Sequence, residues 1–251
     1  MKYKTLGVIA TALILTGTGQ LVYLPESAPA HAAENAGVAT HLKELKTNPS
    51  QWTRAEAARQ LGILRSKSAL GQLHYSLIKD ISKQVRINSA NAIARINEKS
   101  SVPKLMEAIK LNSGKTDVQL AIIRAVGDMR SYSLETVPTL VRFLRSPNQF
   151  VREATVEALW KIRPKDPRVI RVLNTLMEEE DSLVVKLTLA NVIADFKDPS
   201  TGPVLVKVLK RTDEHVDVRG LAQESLDKLV AMGVVPASMA HVASMGGKKG
   251  H

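Results

Sequence analysis

A two-residue pattern, an apolar or β-branched residue followed by a long polar one, recurs six times along this chain. The first residue of each copy is called its anchor here: Thr53, Val85, Val118, Val151, Val185 and Val218. Successive anchors are 32 to 34 residues apart. Such regular spacing is typical of helical repeat proteins, in which each unit packs only against its neighbours.

Buried positions follow every anchor at fixed distances. The position eight residues after the anchor is apolar in all six copies: Leu61, Ile93, Val126, Leu159, Ile193 and Leu226. The position eleven residues after it is apolar again, and the position four after it is mostly small or apolar. Offsets of 0, 4, 8 and 11 share one face of an α-helix, so each anchor lies at the start of an amphipathic helix.

A second apolar run precedes each of these helices, and three of the runs carry a proline, at Pro103, Pro138 and Pro203. Proline is tolerated in the first turn of a helix, where its missing N–H would have no partner. Each repeat is therefore predicted to be a pair of short helices. The predicted repeats span residues 37–65, 66–98, 99–131, 132–164, 165–198 and 199–233.

This register resembles that of HEAT repeats, in particular the short units of roughly 30 residues. The resemblance implies an all-α solenoid of about six helix pairs over residues 34–233. It also implies a ladder in which an acidic residue pairs with the Arg-type residue six positions later and links successive repeats. Three such pairs are expected here: Asp80 with Arg86, Glu180 with Lys186, and Asp213 with Arg219.

Residues 1–33 are predicted to be an export signal peptide, because Lys2 and Lys4 precede an apolar run and small-residue cleavage motifs follow around Ala30. An uncleaved membrane anchor is the alternative, since residues 6–24 approach the length of about 20 residues that a span needs. A cleaved signal would make the protein periplasmic or secreted. Residues 234–251 are rich in Ala, Gly, Ser and Lys and are predicted to form a flexible tail.

Positive charge is concentrated in the first half of the predicted solenoid. Residues 34–131 carry 16 basic and 8 acidic side chains, whereas residues 132–251 carry 17 and 15. A field of this sign attracts phosphates, anionic lipids, carboxylated polymers or acidic proteins. The alternative is that these side chains only keep helix surfaces soluble.

Motifs for catalysis or metal binding are missing from the sequence. The chain has no cysteine and no histidine with metal-ligand spacing, nor a nucleophile elbow or a glycine-rich phosphate loop. No metal, cofactor or catalytic residue is therefore predicted, and the chain is expected not to be an enzyme. HEAT-like hydroxylases bind iron through His-Glu motifs and are a poor match, and no constellation favours a HEAT-like lyase or glycosylase.

A partner surface is predicted on the concave side of the solenoid, where positions two, six and nine after each anchor share a face. Trp160 is its main candidate, because the other copies carry Gly, Ala or Asp at position nine and tryptophan is enriched at binding hot spots. The predicted contact residues are Arg59, Ile87, Asn91, Leu120, Arg124, Glu153, Glu157, Trp160, Leu187 and Asn191.

The function expected from these observations is that of a non-enzymatic scaffold of the cell envelope. It would bind a protein or peptide partner on its concave face. The alternative is a binder of an anionic polymer or membrane surface through the basic N-terminal half. Nucleic acid is not expected as a partner, because export would remove the chain from the cytoplasm.

Overall fold

The computed structural model describes residues 13–15, 21–23 and 27–240. Between residues 27 and 240 it consists of helices joined by short loops, so the predicted all-α solenoid is confirmed. The α-helices are α1 (Ser27–Thr47), α2 (Gln51–Ile63), α3 (Leu70–Lys79), α4 (Lys83–Ile96), α5 (Val102–Leu111), α6 (Thr116–Asp128), α7 (Val137–Phe143), α8 (Gln149–Ile162), α9 (Pro167–Glu179), α10 (Leu183–Val192), α11 (Thr201–Lys210) and α12 (Val216–Ala231). Short 3-10 helices precede or extend them at Lys67–Ala69, Lys99–Ser101, Arg130–Thr136 and Ile193–Phe196.

Two short strands lie in the segment predicted to be an export signal. β1 (Leu13–Leu15) pairs antiparallel with β2 (Leu21–Tyr23), and Leu13 is opposite Tyr23. Most of residues 1–26 lies outside the described residues, so the signal peptide stays a prediction. Of the helices that the structure describes, none is long and apolar enough to cross a membrane.

Each repeat pairs an odd-numbered first helix with an even-numbered second helix, and every second helix begins two residues before its anchor. Local sequence fixes these starts. The Ser50 hydroxyl accepts a hydrogen bond from the Thr53 N–H, and the side-chain Oδ1 of Asn148 accepts one from the N–H of Val151. Such caps satisfy backbone donors that the first turn leaves free.

The core runs along the solenoid as a column of buried side chains. All six residues at position eight after the anchor have 0 % of their surface exposed, as the helical register predicts: Leu61, Ile93, Val126, Leu159, Ile193 and Leu226. The packing continues past the predicted end at residue 233. Val235 is 5 % exposed and lies with Met239 against Gly202 of α11. The predicted flexible tail therefore includes packed residues up to 239, and residues 241–251 lie outside the described residues.

The second helices form the inner row of the solenoid. Successive second helices contact one another closely along their length, whereas successive first helices make far fewer contacts. Small residues permit this approach at position nine. A Cβ added to Gly62 would lie 2.6 Å from the Cα of Ala92, and one added to Gly127 would lie 2.8 Å from the Cα of Ala158. Because the second helices are closer together than the first, the surface that they present is concave.

Trp160 is the exception at position nine and fills the space between the fourth and fifth repeats. Its ring packs against the core, and its indole N–H donates a hydrogen bond to Oδ2 of Asp195 at 2.7 Å. The guanidinium of Arg163 lies 5.9 Å from the ring centroid. Asp195 belongs to the 3-10 turn Ile193–Phe196 that follows α10. The indole thus has a packing role between repeats.

Charged side chains connect successive repeats on the edge formed by the loops between the first and second helix of each repeat. Nε and Nη2 of Arg54 donate to the carboxylate of Asp80 in the next repeat at 2.8 and 2.9 Å. Nη1 of Arg54 donates to the carbonyl oxygens of Asn48 and Pro49, both at 3.0 Å. The Asp80 carboxylate also accepts the N–H of Ser82. One guanidinium therefore joins a loop of its own repeat to the loop of the next.

The same network recurs three repeats further along the chain, between the fourth and fifth repeats. Nε and Nη2 of Arg152 donate to Glu180 at 2.8 and 2.6 Å, and its Nη1 donates to the carbonyl oxygens of Ser146 and Pro147. Burial raises the pKa of Glu180, but hydrogen bonds from Arg152 and the Ser182 N–H outweigh burial, and the pKa ends below its ordinary value. The carboxylate is therefore ionised in the folded protein at neutral pH.

A third connection joins Lys186 to Glu214, whose carboxylate oxygens lie 2.9 and 3.0 Å from Nζ. The predicted ladder had the right residue types and the wrong partners, because the acid pairs with the cation of the preceding repeat. The third acid is also Glu214, not Asp213, which is exposed. The predicted pairs that the structure does not form are Asp80 with Arg86, Glu180 with Lys186, and Asp213 with Arg219.

Replacing Arg152 by Gln should lower the free energy of unfolding by about 3 kcal/mol, because it leaves a buried carboxylate without its cation. Arg152 and Glu180 side chains are 16 % and 3 % exposed. Arg168→Gln is the control, because its pair with Asp166 is 81 % exposed on the arginine side and is screened by solvent, so its loss should change the unfolding free energy much less. Urea unfolding measures both. Equal effects of the two substitutions would contradict a structural role for the ladder.

Acidification should weaken the same connection. The pKa of Glu180 is lowered on folding, so its stabilising effect is complete above the unfolded pKa of about 4.3 and is lost as the pH falls through the lower folded value. The wild-type chain should therefore lose more unfolding free energy between about pH 5 and pH 3 than Arg152→Gln does. Parallel pH profiles of the two proteins would argue against this linkage.

Trp160→Ala should lower the free energy of unfolding by about 3 kcal/mol, because it opens a cavity between the fourth and fifth repeats. Trp160→Phe keeps most of the ring volume and loses the bond to Asp195, so it should cost only about 1 kcal/mol. Thermal and urea unfolding measure both variants. Unchanged stability of Trp160→Ala would show that the indole is not a packing residue and would restore it as a candidate contact for a partner.

Candidate functional site

The predicted concave surface separates into three columns with different exposure. Position six after the anchor faces solvent in five of the six copies, and Glu157 is half-buried. The exposed members are Arg59, Asn91, Arg124, Asn191 and Glu224. The helical register predicted that position nine belongs to the open surface. In four copies it is instead buried between neighbouring second helices. The four buried residues are Gly62, Ala94, Gly127 and Ala194.

The large apolar residues of the predicted surface mostly serve packing. Ile87, Leu120 and Leu187, all at position two, are half-buried and lie against the hydrophobic core. They supply edges of the inner surface and no broad apolar groove. The exposed inner surface is therefore mainly polar.

The two arginines of this surface, Arg59 on α2 and Arg124 on α6, are in different states. Near the N-terminal end, Arg59 donates two hydrogen bonds to Glu56 of its own helix, at 2.6 and 2.8 Å. These bonds and one from Gln60 lower the pKa of Glu56 to about 2. Arg124, two repeats further on, forms no ion pair with any residue that the structure describes. The charge of Arg59 is thus partly neutralised by Glu56. The guanidinium of Arg124 is available to bind an anionic group.

Asn91 lines a polar depression of about 400 Å³ at the ends of the second helices. Its other walls include Arg65, Arg95, Asn97 and Asp128. Asp128 also accepts a hydrogen bond from Lys161 at 2.7 Å. This depression is continuous with the N-terminal half of the inner surface.

Glu153 and Glu157 lie one turn apart on α8, at the centre of the inner surface. Both are half-buried, and within the part of the chain that the structure describes neither forms a side-chain hydrogen bond or an ion pair. Burial, and then the charge of Glu157, raise the pKa of Glu153, while the charge of Arg124 opposes the shift. The pair is therefore a centre of negative charge that has no cation bonded to it.

Trp160 follows Glu157 by three residues on α8 and is bonded to Asp195. Asp195 accepts hydrogen bonds from the indole N–H and from Lys228 of α12, and Arg163 lies 3.6 Å away. Burial raises the pKa of Asp195, but the hydrogen bonds from Lys228 and Trp160 lower it by more. The net effect is a pKa below the ordinary value. Asp195 is thus an ionised carboxylate that is already neutralised, unlike Glu153.

Asp195 and Glu214 were not among the residues predicted from the sequence. Both act through contacts with residues about one repeat away in sequence, Trp160 in the first case and Lys186 in the second. The repeat register could have signalled Glu214 as a neighbour of the acidic column. No sequence signal identifies the bond between Trp160 and Asp195, because it depends on the distance between α8 and the turn after α10.

The described part of the chain offers no set of metal ligands. No group of three or more His, Cys, Asp or Glu side chains there lies close enough together to hold a metal ion. The described residues therefore do not supply the His-Glu ligands with which HEAT-like hydroxylases bind iron.

Comparison with known proteins bears on both fold and function. The sequence profile that describes HEAT repeats matches residues 38–115 and 109–190. Deoxyhypusine hydroxylase from Eremothecium gossypii is 27% identical over 215 residues, which cover 83% of this chain and 63% of that enzyme. The chain thus spans less than two thirds of the length of this curated relative.

Solved structures share the fold at low sequence identity. The complex of CpcE and CpcF of phycocyanin lyase from Nostoc sp. PCC7120 matches with a TM-score of 0.53 at 20% identity, over 83% of this chain and 86% of that chain. A designed armadillo repeat protein in complex with the peptide (KR)4 matches with a TM-score of 0.55 at 20% identity, over 76% of this chain and 99% of the design. These likenesses concern the solenoid architecture alone.

The expectation of a non-enzymatic protein is wrong. It rested on missing catalytic motifs, and it is overturned by the relative named deoxyhypusine hydroxylase, which is an enzyme. Neither the plain scaffold nor the binder of an anionic surface is therefore retained. Because the profile for HEAT repeats matches most of the solenoid, and because the structure has the corresponding helix pairs, the chain belongs to the HEAT-repeat family.

Proposed function

We propose that this chain is a component of a protein-modifying enzyme and that its inner surface binds a basic segment of the substrate protein at Glu153 and Glu157. The observation that carries this proposal is the pair of half-buried carboxylates one turn apart on α8, with no bonded cation among the described residues. Two like charges in a partly desolvated position repel each other. A lysine, arginine or related amine of the substrate would relieve this repulsion through charge-assisted hydrogen bonds.

The relatives support an enzymatic role that involves another protein or peptide. One is named a hydroxylase of deoxyhypusine, and another is a complex of two subunits of phycocyanin lyase. The designed armadillo repeat protein holds a peptide made of lysine and arginine. A basic peptide on a solenoid of this kind is therefore compatible with the negative centre at Glu153 and Glu157.

Glu153 has the property that proton transfer requires. Its pKa is raised by burial and by Glu157, so it exchanges a proton at a higher pH than an ordinary glutamate does. Within a bound complex it would accept a proton from the substrate amine or return one at the same oxygen. The positive charge of Arg124, on the neighbouring helix, opposes this rise in the pKa of Glu153.

The N-terminal segment bears on the compartment of this activity. We propose that the protein acts in the periplasm or outside the cell, which the lysine-led apolar run of residues 1–33 supports.

Binding of the (KR)4 peptide tests the substrate surface. The double variant Glu153→Gln and Glu157→Gln should bind this peptide at least about tenfold more weakly than the wild type, because it loses charge-assisted hydrogen bonds. Fluorescence anisotropy with a labelled peptide measures the change. The control removes the same charge at Glu107 and Glu135, which are exposed and lie outside the inner surface. An equal loss in the control would show attraction by overall charge only.

The enzymatic part has its own test. Deletion of the gene should remove a covalent modification from at least one protein of the source cell, as detected by intact-protein mass spectrometry. The wild-type gene should restore the modification, and the double variant should not. A proteome without any such change would rule out the enzymatic role and leave only a binding surface.

A further inference from the structure

One step of the charged ladder, between the second and third repeats, keeps its arginine but lacks its carboxylate. Arg86 occupies in the second repeat the position that Arg54 and Arg152 occupy in theirs, directly after the anchor. In the third repeat, however, the register position of Asp80 and Glu180 is taken by Ser113. The Nε of Arg86 is buried and has no hydrogen-bond partner among the described residues.

Neighbouring acids cannot replace the missing one. Asp80 lies near enough to interact with the charge of Arg86, but both of its oxygens are already bonded to Arg54. Asp117 is bonded to Lys83 at 2.6 Å. Arg86 is half-buried as a residue, but a buried Nε–H without an acceptor is unfavourable, since its desolvation is not compensated.

A pocket of about 320 Å³ opens at this step. It is lined by Lys83, Arg86, Lys115, Thr116, Asp117 and Val118. Three of these side chains are cationic and one is anionic. Lys115 is exposed and forms no ion pair with any residue of the described chain.

The pocket also contains the first residues of α6, a helix of 13 residues. No side chain caps this helix, unlike α2 and α8, where Ser50 and Asn148 accept first-turn N–H groups. Free backbone donors and the helix dipole add to the attraction that the cations exert on a negative group.

We propose that this Arg86 pocket binds a carboxylate of a ligand, which takes the place of the missing ladder acid. The chemistry is inferred from the other steps. There the same guanidinium position holds a carboxylate through Nε and Nη2 at 2.6 to 2.9 Å, and a backbone N–H of the adjacent loop donates to the same carboxylate. The ligand would connect the second and third repeats as Asp80 connects the first and second.

The carboxylate can come from an acidic protein segment or from a small free acid, and titrations distinguish these sources. The probes are an acetylated Asp-Glu-Asp amide peptide, succinate and inorganic phosphate, each added to the full-length chain at constant ionic strength. Two-dimensional amide NMR measures saturable shifts at Lys83, Thr116 and Asp117. Tighter binding of the peptide would identify a protein segment as the source, and tighter binding of succinate would identify a small acid.

Arg86→Gln should weaken the binding of the carboxylate probes by about tenfold or more. Glutamine already occupies the same position in the next repeat, at Gln119, so this variant should fold. Arg145→Gln is the matched control, because it removes an exposed arginine from the corresponding loop edge of the fourth repeat. Its affinity should stay within about twofold of the wild type.

Lys115→Gln gives a second reading that does not depend on the ladder. It should weaken binding by about two- to threefold, as expected for an exposed cation near a bound anion. Three results would overturn the proposal. They are the absence of saturable shifts with either carboxylate, equal affinities of Arg86→Gln and the wild type, and tighter binding of phosphate than of both carboxylates.

Discussion

The close approach of successive second helices sets the geometry on which the rest of the solenoid depends. At Gly62 and Gly127 the approach is so close that even a methyl group would collide with the next helix. First helices are not held together in this way, so the stack curves and the second helices line its inner side. Every surface feature, including the carboxylate pair on α8, takes its place from this curvature. Trp160 adjusts the spacing at one step by filling the space between two repeats.

Charge is used in two different ways along the stack. On one edge, Arg54 and Arg152 pair with acids of the following repeat and also bond to loop carbonyl groups. These pairs are largely buried, and their geometry is bidentate, which makes them stronger than ordinary surface ion pairs. On the inner side, Glu153 and Glu157 are left without bonded cations in the described chain. The first arrangement stabilises the fold, and the second leaves an interaction open to a ligand.

The HEAT-repeat architecture accommodates the proposed enzymatic role without a conventional active-site motif. A solenoid presents one or two outward residues per repeat, so its site is distributed over several helices and not built from one loop. Motif searches detect sites with fixed short spacing, and for that reason they gave the wrong expectation about catalysis. The similarity to deoxyhypusine hydroxylase corrected it. The proposed site on the inner surface, with Arg124 and Glu153 on adjacent helices, is of the distributed kind.

Sequence periodicity by itself determined the repeat number, the helix pairs and the buried columns, because the period of a helix fixes which residues share a face. The resemblance to HEAT repeats added the types of residue in the ladder. Tertiary structure decided which repeat each acid bonds to, since Asp80 is near Arg86 in sequence but reaches Arg54 in space. It also decided that position nine is buried for Gly62 and that Trp160 bonds to Asp195. Distances between helices from different repeats control these contacts, and the sequence pattern of a single repeat contains no information about them.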